Sequence, residues 1–385
     1  MRKLKSKNNY QYIMLKPLLL FLFCSHFLIK ENVNAKTNDA KQKIMLSLLL
    51  DTSNSMDGLI DQAKSQLWTI INELAMGKGE NNDKIPIQIA LYEYGNSSLP
   101  STDGYIRMVL PLTDDLDNIS EKLFGLTTNG GDEFCGQVIQ HSISQLDWTS
   151  SDKDLKMIFI AGNEPFTQGN VPYDIACRSA KERDIIVSTI YCGEYDEGVS
   201  SSWRAAAMIT GGSYMNIQQN EKTVYMATPY DEAIDKLNDE LNSTYVYYGQ
   251  YGKQKKEVQE IQDFNSSNYG RENKVKRAIS KSSHAYRNSS WDLVDALKEK
   301  EESITSIKEE YLPQEMKGMS LAERESYVKK KAEERKKIQK EIQALGVKRK
   351  QYISEKESKD GNTEMLDDAV IRSIKELAKK KNITF

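Results

Sequence analysis

Cysteine, histidine and proline are all scarce in this chain, with four, three and eight residues among 385, and each scarcity excludes something. Cys24 lies in an apolar N-terminal run, so Cys135, Cys177 and Cys192 serve the rest of the chain. No C-x-x-C spacing and no nearby pair of histidines accompanies them, which leaves a thiolate zinc site without a ligand set. Three thiols allow at most one bridge. The pairing among the three is open: Cys135 and Cys192, expected on the same rim of a sheet, are one geometrically possible pair, and no bridge at all is the alternative. His26 lies in the N-terminal run, so His141 and His284 stand alone, neither with a nucleophile beside it. G-x-S-x-G, H-E-x-x-H and G-x-x-x-x-G-K are absent, and with them the common hydrolase, metalloprotease and phosphate-binding signatures. Beyond Ile29 no apolar run approaches the ~20 residues that span a bilayer.

Charge, by contrast, is plentiful and unevenly placed. The formal net charge is −3, but residues 36–245 carry 16 Lys and Arg against 31 Asp and Glu, a net −15, and residues 246–385 carry 31 against 24, a net +7. An acidic body followed by a basic-leaning one argues for two parts that attract each other. In the basic part Lys alternates with Glu and forms no single-sign block in sequence, so nucleic acid is not an expected partner. At the N-terminus, Arg2, Lys3, Lys5 and Lys7 precede a mostly apolar stretch from Pro17 to Ile29, and Val33-Asn34-Ala35 supplies small residues for cleavage. This pattern predicts a signal peptide over 1–35 and export to the periplasm or beyond, with no integral membrane segment after cleavage.

The mature chain alternates strand and helix signals. Ile44 to Leu50 is a nearly unbroken apolar run, which predicts a strand buried on both faces of a parallel sheet. Leu59, Ala63, Leu67, Ile70, Ile71 and Leu74 recur at helical spacing, predicting a helix over 58–76. Strands are expected over 85–94 and 105–112 as an antiparallel edge pair, then over 156–161, 185–191 and 213–217. Helices are expected over 114–124, 137–146, 175–183, 203–210 and 231–241. The fold class is therefore α/β: a doubly wound, Rossmann-like sheet flanked by helices over 43–245. A linker is expected over 246–288 and a charged α-helical region over 289–385. There, Ser289 and Asp292 have capping-box spacing, a helix continues towards Pro313, and residues 320–350 form a long Lys- and Glu-rich helix. Its thin apolar stripe suits a helical hairpin or a helix lying on the domain better than a free-standing coiled coil. A last helix is expected over 365–379.

Asp51-Thr52-Ser53-Asn54-Ser55 leaves the end of the first strand. One carboxylate and two hydroxyls at alternate positions, at the carboxyl end of a central strand, are hard oxygen ligands suited to Mg²⁺ or Ca²⁺. The same three side chains could instead cap the following helix. With the buried strand before it and the amphipathic helix after it, this D-x-S-x-S run resembles the metal-ion-dependent adhesion site of von Willebrand factor type A (vWA) domains. The resemblance covers about 200 residues, from Ile44 to Leu241, and implies a sheet carrying a metal at its carboxyl edge, held by three loops. In the first loop Asp51, Ser53 and Ser55 stand in the family's positions. The second loop departs from the family: Gly130-Gly131 is followed by Asp132 where the family has Thr, leaving Asp132, Thr127 or Thr128 to reach in. The third departs further: Ala161-Gly162-Asn163-Glu164 has no Asp, so Asn163 and Glu164 are the candidate donors. The candidate metal set is thus Asp51, Ser53, Ser55, Asp132, Asn163 and Glu164. A metal-free network, with Asp132 and Glu133 hydrogen-bonded to Ser53 and Ser55, is the alternative.

The expected function is an exported, non-enzymatic binding module that engages a protein or cell-envelope ligand at this rim. A structural scaffold working through the helical region is the second reading. A hydrolase using Glu133 and Glu164 as paired carboxylates is the third.

Overall fold

Six strands form one mixed sheet: β1 (Ile44–Asp51), β2 (Ile87–Tyr94), β3 (Ile106–Thr113), β4 (Leu155–Gly162), β5 (Ile185–Cys192) and β6 (Tyr214–Ile217), in the order β3-β2-β1-β4-β5-β6. β1 is central, and all eight of its residues are buried. It pairs in parallel with β2 on one side and β4 on the other, while β3 closes the edge antiparallel to β2. The strand order reverses across β1 and β4, so their carboxyl ends flank the crevice where open α/β sheets bind ligands. This is the doubly wound α/β sheet that the apolar runs predict. The computed structural model describes residues 41–79, 82–217, 226–299, 303–360 and 366–385. The expected signal segment, Met365 and the side chains of Leu59, Ala63 and Leu67 lie outside them.

Helices cover both faces. On one, α3 (Cys135–Gln145), α4 (Tyr173–Glu182) and α6 (Trp203–Thr210) enclose a core of Leu49, Tyr92, Ile158, Ile160 and Val187, with α5 (Tyr195–Ser200) at its end. On the other, α1 (Asp57–Leu74), α2 (Leu116–Phe124) and α7 (Asp231–Asn242) pack with α12 (Leu366–Lys379). Outside these lies a further layer: α8 (Gly252–Asn268), α9 (Arg271–Ser282) and the 40-residue α11 (Leu321–Asp360). α10 (Leu293–Glu299) and the turns after it form a small third core with Val246, Tyr248 and Val328.

The C-terminal part departs from its expected layout. Residues 246–288 hold α8 and α9 where a linker was expected, and Val275, Ala278, Ile342 and Ile374 share one core with β1. Residues 41–385 form one compact unit. Asp292, not Ser289, holds the start of α10: its Oδ2 accepts from the Asp295 backbone N–H at 3.0 Å. The helix expected to run on towards Pro313 is assigned only to Glu299, and α11 runs ten residues past Lys350.

The outer layer is fixed by buried charge more than by apolar stripes. Arg277 donates to Asp117 at 2.8 Å and Asp263 at 2.6 Å, and its guanidinium lies 5.0 Å from the Trp68 ring centroid. Lys281, fully buried, donates to Asp263 at 2.7 Å. Arg335 of α11 donates to both oxygens of Asp292, at 2.6 and 3.0 Å, and stacks on Tyr245. Arg349 reaches Asp231 at 3.0 Å. Arg277–Asp117 and Arg349–Asp231 join the basic-leaning part to the acidic one, as their imbalance predicts, while Asp263 and Asp292 find their cations within the C-terminal part itself. Among the described residues no helix is long and apolar enough to cross a membrane.

Candidate functional site

β1 delivers Asp51 to the carboxyl edge of the sheet, where it is fully buried. Its Oδ1 accepts from the backbone N–H of Ser53 at 2.7 Å, which turns the chain and brings Ser53 Oγ to 3.1 Å from Ser55 Oγ. Ser55 Oγ in turn donates to Asn163 Oδ1 at 3.3 Å, tying the exit of β1 to the exit of β4. Ser53 flanks the short helical turn Asn54–Met56 without making a side-chain cap hydrogen bond. Helix capping therefore does not explain these hydroxyls, and they are free to face the crevice.

The second loop places its acids differently from the expectation. Asp132 is exposed, and the neighbouring Glu133 turns inward with 5% of its surface exposed. Glu133 contacts both Ser53 and Asp51. Glu133, and not Asp132, thus takes the inward place beside Asp51 and Ser53. Thr127 is exposed, and Thr128 donates to Asp57 at the start of α1. The physical reason is local. Cys135 enters the core at the start of α3, and Glu133, two residues before it, is carried in with the chain, while Asp132 stays exposed.

Glycines make room for the acid pair. A Cβ on Gly95, whose φ is +76°, would lie 2.7 Å from both Asp51 Oδ1 and Glu133 Cγ. A Cβ on Gly162 would lie 3.0 Å from Asp51 Oδ2. Gly131 serves close approach instead of positive φ: its Cβ would lie 2.7 Å from the carbonyl of Gly95. Ser97 N–H donates to the Gly130 carbonyl at 2.7 Å beside it.

The third loop is braced from below. Trp203 Nε1 donates to the Glu164 carbonyl at 2.8 Å, and Phe166, fully buried, stacks edge-on against Trp203 and Tyr173. Phe166 is thus part of the support. Gln168 joins the two loops, donating to Glu164 Oε2 at 3.1 Å and accepting from Glu133 N at 3.3 Å. Glu133 pairs with Asp51, while Glu164 acts on both through its charge.

The electrostatics of the pair are one-sided. Burial, and then the charge of Asp51, push Glu133 up to about 9. Burial also raises Asp51, to about 6 against the hydrogen bonds from Ser53, with Glu164 adding repulsion. Two adjacent buried carboxyls cannot both ionise cheaply, so the pair retains a proton at neutral pH. Asp51 Oδ2 and Glu133 Oε2 are buried and accept no hydrogen bond from protein donors. The contrast with Glu93, one strand over, is direct: it is equally buried but ion-paired with Arg107.

The donor set is all oxygen: two hydroxyls, the Asn163 amide and the two carboxyls. That chemistry fits a hard cation such as Mg²⁺ or Ca²⁺, and the two unsatisfied oxygens are what such an ion would engage. Among the described residues no three or more His, Cys, Asp or Glu side chains gather as a metal cage, so an ion here would depend on the serines and Asn163. Cys135, Cys177 and Cys192 are all buried free thiols, so the bridge between Cys135 and Cys192 is not formed.

No family model matches this sequence, and no curated protein matches it. Solved structures match part of this chain at low identity. The conserved hypothetical protein BatB from Bacteroides thetaiotaomicron is 14% identical over 45% of this chain and 90% of that one, with a TM-score of 0.35. The VWA domain of SpRpn10 is 16% identical over 47% and 90%, also at 0.35. Proximal thread matrix protein 1 from the mussel byssus, in a form described as having a zinc-occupied MIDAS motif, is 10% identical over 47% and 43%, at 0.34.

Proposed function

We propose that this chain is an exported binding module of the vWA type that engages a protein or cell-envelope ligand at the carboxyl edge of its sheet. The observation carrying this reading is the buried Asp51–Glu133 pair, each with an oxygen lacking a protein donor, set in the crevice between β1 and β4. A fold does not keep two adjacent acids without a counter-charge for stability alone, because uncompensated buried carboxyls oppose folding. Ser53, Ser55, Asn163, Glu133 and Asp51 Oδ2 would hold a divalent cation, with Asp51 Oδ1 fixing the serine loop through its bond to the Ser53 amide. A bound ion would supply positive charge at the rim and an open coordination position for a ligand oxygen. No catalytic step is part of this proposal.

Isothermal calorimetry with Mg²⁺, Ca²⁺ and Mn²⁺ tests it, with Ser53→Ala and Glu133→Ala as controls. Binding at micromolar to millimolar concentration that both substitutions abolish is the expected result. No heat with any of the three ions would overturn the metal-assisted form.

A further inference from the structure

The sequence of α11 intermixes Lys and Glu, but on the folded helix lysines outnumber acids on the outward face. Its inward face carries Val328, Arg335, Ile342 and Arg349, all buried. At 3.6 residues per turn, Lys329, Lys336 and Lys340 fall on one line opposite that face, flanked by Lys330, Lys337 and Lys348, and all six are exposed. Only two exposed acids, Glu333 and Glu341, lie between positions 329 and 348. Glu334 is drawn aside towards Lys330 and Lys331. Of the six lysines only Lys330 has an ion-pair partner among the described residues. The stripe is straight and about 28 Å long from the helical rise.

We propose that this face of α11 docks on an anionic bilayer surface. The charge is complementary, and the character of the stripe selects a plane over other polyanions. Both arginines of this stretch, Arg335 and Arg349, are turned inward to carboxylates, leaving only lysines outside. Lysine acts as a mobile point charge suited to a diffuse sheet of headgroups, whereas bidentate reading of nucleic-acid phosphates and bases favours arginine. No aromatic side chain stands on the stripe to stack a base. Val347, 69% exposed, lies in line with Lys336 and Lys340 and offers an apolar contact at headgroup depth.

Co-sedimentation of the full chain with phosphatidylglycerol–phosphatidylcholine vesicles, against phosphatidylcholine vesicles alone, tests this. The apolar N-terminal run would partition into both, so the difference between the two is the readout. At roughly one kcal/mol per lysine, converted to fold-change, Lys329→Gln/Lys336→Gln/Lys340→Gln/Lys348→Gln is expected to weaken anionic-vesicle binding by roughly 100-fold or more. The charge-matched Lys122→Gln/Lys181→Gln/Lys253→Gln/Lys317→Gln changes four exposed lysines elsewhere and is expected to retain most of the binding. The double variant Lys336→Gln/Lys340→Gln, with far-UV circular dichroism on all variants, guards against misfolding. Equal loss in both quadruple variants would reduce the effect to net charge and overturn the proposal. So would equal binding to neutral vesicles, or a stripe effect seen with duplex DNA but not with vesicles.

Discussion

Two groups of buried carboxylates in this protein are treated in opposite ways. Beneath the outer helices, Asp117, Asp263 and Asp292 each meet a buried cation, Arg277, Lys281 or Arg335. At the sheet edge, Asp51 and Glu133 meet only each other, with Glu164 nearby. Burial opposes ionisation of Asp263 too, but Lys281 and Arg277 outweigh it and hold its carboxyl below the usual range. The first group closes its charge internally and fixes α8, α9 and α11 on the domain. The second leaves its charge for something from outside. A buried acid is thus a structural element or a candidate binding site according to whether the chain supplies its counter-ion.

The largest effect should come from breaking the closed group. Arg277→Met strands Asp117, leaves Asp263 with Lys281 as its one cation, and is expected to cost about 3–5 kcal/mol in urea unfolding. Arg335→Lys keeps a charge but loses the two-oxygen grip on Asp292 and the stack on Tyr245, at a cost of roughly 1–3 kcal/mol. Hydrogen exchange should show it as faster exchange in α11 above all. In the open group the sign reverses: Glu133→Gln removes an uncompensated buried acid and is expected to stabilise by about 1 kcal/mol at pH 8 in chelator.

The pH profile should separate the same two groups. Glu133 is raised from 4.5 to about 9 in the folded state, so its contribution is fully present below the lower value and is lost as pH rises through the upper. Asp263 is depressed below 3.8, so its contribution is present above that value and lost as pH falls beneath it. Thermal unfolding across pH should therefore show Glu133→Gln flattening the alkaline limb and Asp263→Asn the acid limb.

The sheet was legible in the sequence because its strands are apolar runs: Ile44–Leu50 and the stretch from Lys156 to Ala161 have no other use for so many buried side chains. The serine loop was legible because alternate hard donors at a strand end are rare. Glu133 was harder, since a loop has no periodicity to say which of two adjacent acids turns inward. α8 and α9 were missed because they bury Gln259, Gln262, Ser266, Arg277 and Lys281, and α8 leaves Ile261 and Phe264 facing outward, 53% and 65% exposed. A search for apolar stripes is blind to helices held by polar networks. The lysine face of α11 was hidden for a related reason: lysines spread along the sequence gather on one face only when wound at 3.6 residues per turn.

The most direct measurement makes the same chemical change in both places. Glu133→Gln and Asp263→Asn each turn a largely buried carboxyl into its amide, with side chains of similar shape. In urea unfolding at pH 8 with chelator, Glu133→Gln should be more stable than the parent chain and Asp263→Asn less stable. Destabilisation by both would mean that the rim pair is as internally satisfied as the helical network, and would remove the basis for a binding site there.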